Sequence, residues 1–230
     1  MIPVVLIRKT YNSFLDEKKS EGVCIGLCLT WLGDILKERP AQKMGNWFPG
    51  WLSGWFSPPL TADKKALIPS DTVKLRLLLE RAYRRHESYL KSCRESQQDP
   101  KRQTGRHEAF VNYKNFRQAE KEKITGVPGL QYRLIARNDF MLFNGLNLSG
   151  HAHPLTGTII AFRYSEIPGE VGYHSVAAFR YNATECFFLD PNLGLFKTSS
   201  SYPMKDVTQY INKVYKEAVP LLEFIVSRNN

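Results

Sequence analysis

Glu21-Gly22-Val23-Cys24-Ile25-Gly26-Leu27-Cys28-Leu29-Thr30-Trp31-Leu32 is the stretch on which the fold turns. From Ile25 onward the apolar residues Ile25, Leu29, Leu32, Ile35 and Leu36 recur at helical spacing. Gly22 lies just ahead of them, and Lys37-Glu38-Arg39 lead into Pro40, a helix-stop signal. The pattern predicts an amphipathic helix with Cys24 at or just before its first turn. Backbone N–H groups there lack intrahelical acceptors and the dipole is positive, which favours thiolate over thiol. Cys24 is therefore a candidate nucleophile.

Partners for it lie far downstream. Gly172-Tyr173-His174-Ser175-Val176-Ala177-Ala178-Phe179-Arg180 is rich in small, β-branched and aromatic residues and reads as a strand. A polar turn at Asn182-Ala183-Thr184 separates it from Cys186-Phe187-Phe188-Leu189-Asp190, a second strand that ends in a Pro191-Asn192-Leu193-Gly194 turn. In such a hairpin His174, near the start of one strand, comes beside Asp190, at the end of the next. An aspartate there fixes the tautomer of the imidazole and leaves the other ring nitrogen for the thiol. A helix-terminal cysteine, a strand histidine and an orienting aspartate make a thiol-hydrolase constellation.

The same blocks resemble a known family. Gly22-Val23-Cys24-Ile25-Gly26-Leu27 with Trp31-Leu32, then Tyr173-His174-Ser175-Val176-Ala177, then Phe188-Leu189-Asp190-Pro191-Asn192-Leu193-Gly194-Leu195-Phe196, look like the motifs of the YopT/AvrPphB cysteine proteases. These are papain-like effector enzymes that bacteria deliver into host cells. The resemblance implies Cys24 as nucleophile, His174 as general base and acid, and Asp190 as orienting residue. It implies no cofactor, a protein substrate in a host or target cell, and export without a classical signal peptide. It extends to an amphipathic helix near 203–216 and an apolar strand over 219–226; residues 40–150 match nothing in the family.

One departure concerns the oxyanion hole. Papain-like enzymes often carry a glutamine or asparagine a few residues before the cysteine, whereas Asp16-Glu17-Lys18-Lys19-Ser20-Glu21 holds no carboxamide nearer than Asn12. The Cys24 amide supplies one donor. The second is open between Lys19, Ser20, a backbone amide and Asn12. Losing such a donor costs about 3–4 kcal/mol of transition-state stabilisation.

Composition agrees with an enzyme domain. The chain has 230 residues, 43% hydrophobic and 12% aromatic, enough to bury one sizeable core over 1–230. No uncharged apolar run reaches the ~18 residues of a membrane span. Met1-Ile2-Pro3-Val4-Val5-Leu6-Ile7-Arg8 lacks the basic region and long apolar stretch of a secretory signal. The four cysteines, at 24, 28, 93 and 186, form no dense disulfide framework, as suits a reducing compartment. Cys24 and Cys28, with His151, His153 and His174, are the thinkable metal ligands, but Cys-x-x-x-Cys in an apolar helix is a poor zinc motif. Cys28 and Cys186 read as small apolar packing residues.

Charge opens a different reading. The net charge is +10, and Arg84, Arg85, Lys91, Arg94, Lys101, Arg102, Arg106, Lys114, Arg117, Lys121 and Lys123 crowd one basic segment. Tyr83, Tyr89, Phe110, Tyr113 and Phe116 are interleaved, a pattern able to pair phosphates and stack bases. No nucleic-acid motif accompanies it and acidic residues are mixed in, so an acidic membrane surface or protein is the better-matched partner. Trp47, Trp51 and Trp55 stand four apart in a Pro- and Gly-broken stretch over 46–59, read as core packing ahead of a bilayer-dipping loop.

The expected architecture is α+β and papain-like, with helices packed against a central antiparallel sheet. Residues 1–21 read as a short leader and 71–93 as a helix with Val73, Leu75, Leu77, Leu78, Leu79 and Ala82 on its apolar face. Residues 92–106 read as a loop, 107–121 as a helix, and 157–164, 173–180, 186–190 and 219–226 as strands. The function read from all this is a thiol protease working through a thioester. Acyltransferases, glutamine deamidases and cell-wall amidases use the same triad and are the enzymatic alternatives. A basic nucleic-acid or membrane-surface binding protein is the non-enzymatic one.

Overall fold

Strands covered on both faces run as near-continuous apolar stretches, and the strands around His174 and Asp190 are of this kind. The computed structural model describes residues 1–38, 68–98, 130–135, 156–165, 167, 170–181, 185–200 and 202–228. Along the chain come β1 (Ile2–Leu6), α1 (Arg8–Lys18), α2 (Cys24–Glu38), α3 (Thr72–Gln98), β2 (Leu130–Ile135) and β3 (Thr156–Tyr164). Then follow β4 (Gly172–Arg180), β5 (Glu185–Asp190), β6 (Gly194–Ser199), α4 (Pro203–Val214) and β7 (Val219–Arg228). Among the described residues the strands form one sheet in the order β1-β6-β5-β4-β3-β7-β2, each pair antiparallel. The fold is α+β, with helices packed against a central antiparallel sheet.

Alternation along the strands gives each face its own core. Ile159, Ala161, Ala177, Phe179, Phe187 and Leu189 point to the side of α1, α2 and α3. Ile160, Phe162, Val176, Ala178, Cys186 and Phe188 point to the side of α4, against Val207, Ile211 and Tyr215.

α2 departs from the amphipathic reading. Every residue from Ile25 to Gly33 is buried, not only the stripe. A helix that is apolar nearly all round belongs inside, and α2 lies between α3 and the sheet. Gly26 permits the closest approach, since a Cβ there would lie 2.2 Å from the carbonyl oxygen of Ala82 on α3. The buried Thr30 hydroxyl is satisfied by the Gly26 carbonyl at 2.7 Å.

Other expectations need correction. The leader is a strand and a helix: β1 adds an edge to β6, and α1 buries Tyr11 and Phe14. α3 runs on to Gln98, so the first part of the expected loop is helical. Its buried stripe is Leu75, Leu78, Leu79 and Ala82, whereas Val73 and Leu77 are exposed, because only the i, i+3, i+4, i+7 set faces α2. Tyr89 is buried, and Tyr83 packs T-shaped against Phe14. The helix expected at 107–121, the tryptophan stretch at 46–59, His151 and His153 lie outside the described residues.

Candidate active site

A gap in the sheet creates the site. β4 pairs with β3 along its whole length, Gly172 to Arg180, but with β5 only from Ala177 to Arg180. The first half of β4 therefore has an open edge on the β5 side. The N-terminal turn of α2 fills it, with two cysteines one turn apart. The Cys28 thiol donates to the Ser175 carbonyl at 3.4 Å, and the Ser175 N–H donates to the Cys24 sulfur. The pair at 24 and 28 thus replaces the missing ladder bonds of one β4 residue.

Cys24 is the first residue of α2 and is half-buried. Val23 has no side-chain acceptor for the helix start, and its N–H donates instead to the hydroxyl of Tyr11 at 3.1 Å. His174 stands on the other side of the open edge, buried, with its ring edge-on to Phe162 (5.5 Å between centroids) and 5.0 Å from the Tyr215 ring. Its Nε2 meets Oδ1 of Asp190 at 3.0 Å, and the imidazole also hydrogen-bonds Cys24. With Nε2 held by the carboxylate, Nδ1 is the nitrogen left for sulfur.

Asp190 is fully buried and accepts from several donors. Its own turn supplies the Asn192 N–H, at 3.0 Å to Oδ1. Tyr210 donates to Oδ2 at 3.1 Å, and Tyr215 reaches both oxygens at 3.0 and 2.9 Å. An ionised carboxylate needs such donors when it leaves water. Burial, and then the charge of Asp190, push both phenols above their ordinary range, so they stay protonated donors. Neither tyrosine was singled out from sequence, where each reads as one more aromatic in an amphipathic helix.

The charges of the central pair follow from these contacts. Burial pushes the Cys24 thiol up, but the His174 hydrogen bond and charge, with the Ser175 and Cys24 N–H groups, outweigh it and leave the pKa lowered. Burial opposes the imidazolium of His174, but Asp190 and Cys24 outweigh that and push it up to about 9. Both shifts favour a thiolate–imidazolium pair at neutral pH. Cys28, four residues on, goes the other way: burial and the neighbouring charge of Cys24 push its thiol well up. Cys186 is likewise buried and raised to about 12 by burial. Among the described residues no group of three or more His, Cys, Asp and Glu is arranged to hold a metal ion.

No protein-family model matches the sequence, and no curated protein matches it. A crystal structure of the Pseudomonas avirulence protein AvrPphB is similar at 15% identity and a TM-score of 0.49, over 97% of this chain and 96% of that one. So distant a likeness bears on neither the chemistry nor the substrate.

Proposed function

We propose that the chain is a papain-like thiol hydrolase, a protease with Cys24 as nucleophile, His174 as general acid and base, and Asp190 as the residue that orients His174. The observation that carries this reading is the hydrogen-bonded series from Cys24 through His174 to Asp190, with the cysteine at a helix N-terminus and both shifts favouring the ion pair. The motif blocks that resemble those of the YopT/AvrPphB proteases point the same way and suggest a protein substrate inside a cell into which the enzyme is delivered.

In this mechanism the Cys24 thiolate attacks a scissile carbonyl and the Cys24 N–H helps hold the resulting oxyanion. His174 then passes its proton to the leaving amine, a step worth roughly 10²- to 10⁴-fold in such enzymes. Water, deprotonated by His174, hydrolyses the thioester. Asp190 holds Nε2 throughout and so keeps Nδ1 directed at sulfur.

The test is intact mass after treatment with the epoxide E-64. One adduct on Cys24, absent in Cys24→Ala and strongly slowed in His174→Ala, is the expected result. Labelling spread over several cysteines and indifferent to His174 would remove the reading.

A further inference from the structure

The Cys24 amide gives the oxyanion one donor, and of the side chains that sequence offers for the second, Ser20 is engaged and Asn12 and Lys19 are exposed. Ser20 spends its only hydroxyl proton on the Gly22 carbonyl at 3.3 Å and accepts the Gly22 N–H at 3.4 Å. Asn12 is exposed on the outer side of α1. Lys19 is exposed too, in the left-handed conformation that ends α1 (φ 52°).

Tyr11 differs from all three. It is buried, and its oxygen accepts the Val23 N–H at 3.1 Å. Among the described residues its own O–H proton has no acceptor. Gly22 relates the hydroxyl oxygen to the thiol. A Cβ on Gly22 would lie 3.7 Å from Cys24 Sγ and 3.9 Å from Tyr11 Oη. Thiol and phenol therefore flank one space about the size of a carbon atom, which a glycine leaves open.

We propose that the Tyr11 hydroxyl is the second oxyanion donor, giving its hydrogen bond to the oxygen of the tetrahedral intermediate formed on Cys24. The inference rests on the thiol-hydrolase reading above. A phenol suits the position because it must stay protonated beside a thiolate. Burial first, and then the charge of Cys24, push the Tyr11 ionisation well above the ordinary phenol range. By accepting from Val23 with the same oxygen, Tyr11 also sets its O–H against the end of α2 that carries the nucleophile.

Two probes of one sulfur test this. With p-nitrophenyl acetate, the Cys24 thiolate attacks the acetyl carbon, a C–S bond forms and the carbonyl π pair moves onto oxygen. When that pair returns, the C–O bond breaks, p-nitrophenolate leaves with its electrons, and acetyl-Cys24 remains. With iodoacetamide, the thiolate displaces iodide at carbon and no oxyanion forms. Tyr11→Phe is expected to keep Cys24 alkylation near the wild-type rate and slow its acetylation by about 10²-fold or more.

Acetylation at the wild-type rate in Tyr11→Phe would overturn the proposal. Equal slowing of both reactions would overturn it as well, because Tyr11 would then act only by holding Val23. A chain with 3,5-difluorotyrosine at position 11 keeps the ring and the acceptor for Val23 while strengthening the donor. It is expected to acetylate at least as fast as wild type, and a rate as low as that of Tyr11→Phe would count against the donor role. If wild-type Cys24 reacts with both probes no faster than a free thiol, the hydrolase reading fails and the donor falls with it.

Discussion

On the face of the sheet covered by α1, α2 and α3, what is buried is almost wholly apolar: Phe14, Trp31, Leu32 and Leu79 stand for the whole. On the face covered by α4, rings of Phe162, Tyr210 and Tyr215 close around a carboxylate and an imidazole. The first face fixes a helix in place through packing, which is non-directional and strong in sum. The second fixes two charges through directed hydrogen bonds, each worth little net but costly to leave unmade. The Cys24 thiol belongs to the first face and the His174 imidazole to the second. They meet only where β5 leaves the first half of β4 unpaired.

That contrast can be broken from either side. The largest effect is expected at Asp190. Asp190→Asn puts an NH₂ group where Tyr210 or Tyr215 now donates and weakens the hold on His174. Acetylation of Cys24 by p-nitrophenyl acetate should fall by on the order of 10⁴-fold, as for an orienting aspartate lost from a triad. An unchanged rate would take Asp190 out of the site. Denaturant unfolding should show the same variant destabilised by about 1–3 kcal/mol.

On the apolar face the matching lesion is steric. Gly26→Ala forces α2 away from the Ala82 carbonyl, and overpacking of this sort costs about 1–3 kcal/mol. A melting temperature equal to that of wild type would mean that α2 and α3 are not in such close contact. The smallest effect is expected from Tyr215→Phe, which keeps the ring against His174 and Phe162 but removes one donor to Asp190, leaving Tyr210 and Asn192. A loss of about 1 kcal/mol in unfolding free energy, with Cys24 alkylation within a few-fold of wild type, is the outcome that fits. A collapse of reactivity would make Tyr215 a far larger part of the site than its contacts suggest.

Much of the apolar face was legible in the sequence. The spacing from Ile25 to Leu36 marked α2, and the runs through 157–164, 173–180 and 186–190 marked β3, β4 and β5 to within a residue at each start. The meeting of His174 with Asp190 was legible too, because a hairpin brings sixteen residues of separation down to a neighbouring position. β1 and β6 were not. Each is short, and β1 is a strand only by joining β6, which itself pairs with β5: Ile2 lies opposite Lys197 and Leu6 opposite Gly194, a pairing between chain positions nearly two hundred apart. Val73 and Leu77 misled because composition does not say which side of a helix has a neighbour. Tyr11 lies in the stretch read as a leader, and Tyr210 and Tyr215 in one read as an amphipathic helix. At helical spacing an aromatic reads as core, and only the fold reveals that its polar tip ends on a helix start or a carboxylate.

The central claim is that Cys24 is a thiolate at neutral pH because of His174, and the pH dependence of its alkylation by iodoacetamide tests that most directly. The lowered pKa of Cys24 lets the thiolate persist to lower pH than an ordinary thiol, whose range lies near roughly 8.5. The rate in wild type should therefore begin its rise at a lower pH than an ordinary thiol allows. In His174→Ala it should climb through the ordinary thiol range. A wild-type profile that climbs through that same range and overlays the variant would contradict the account.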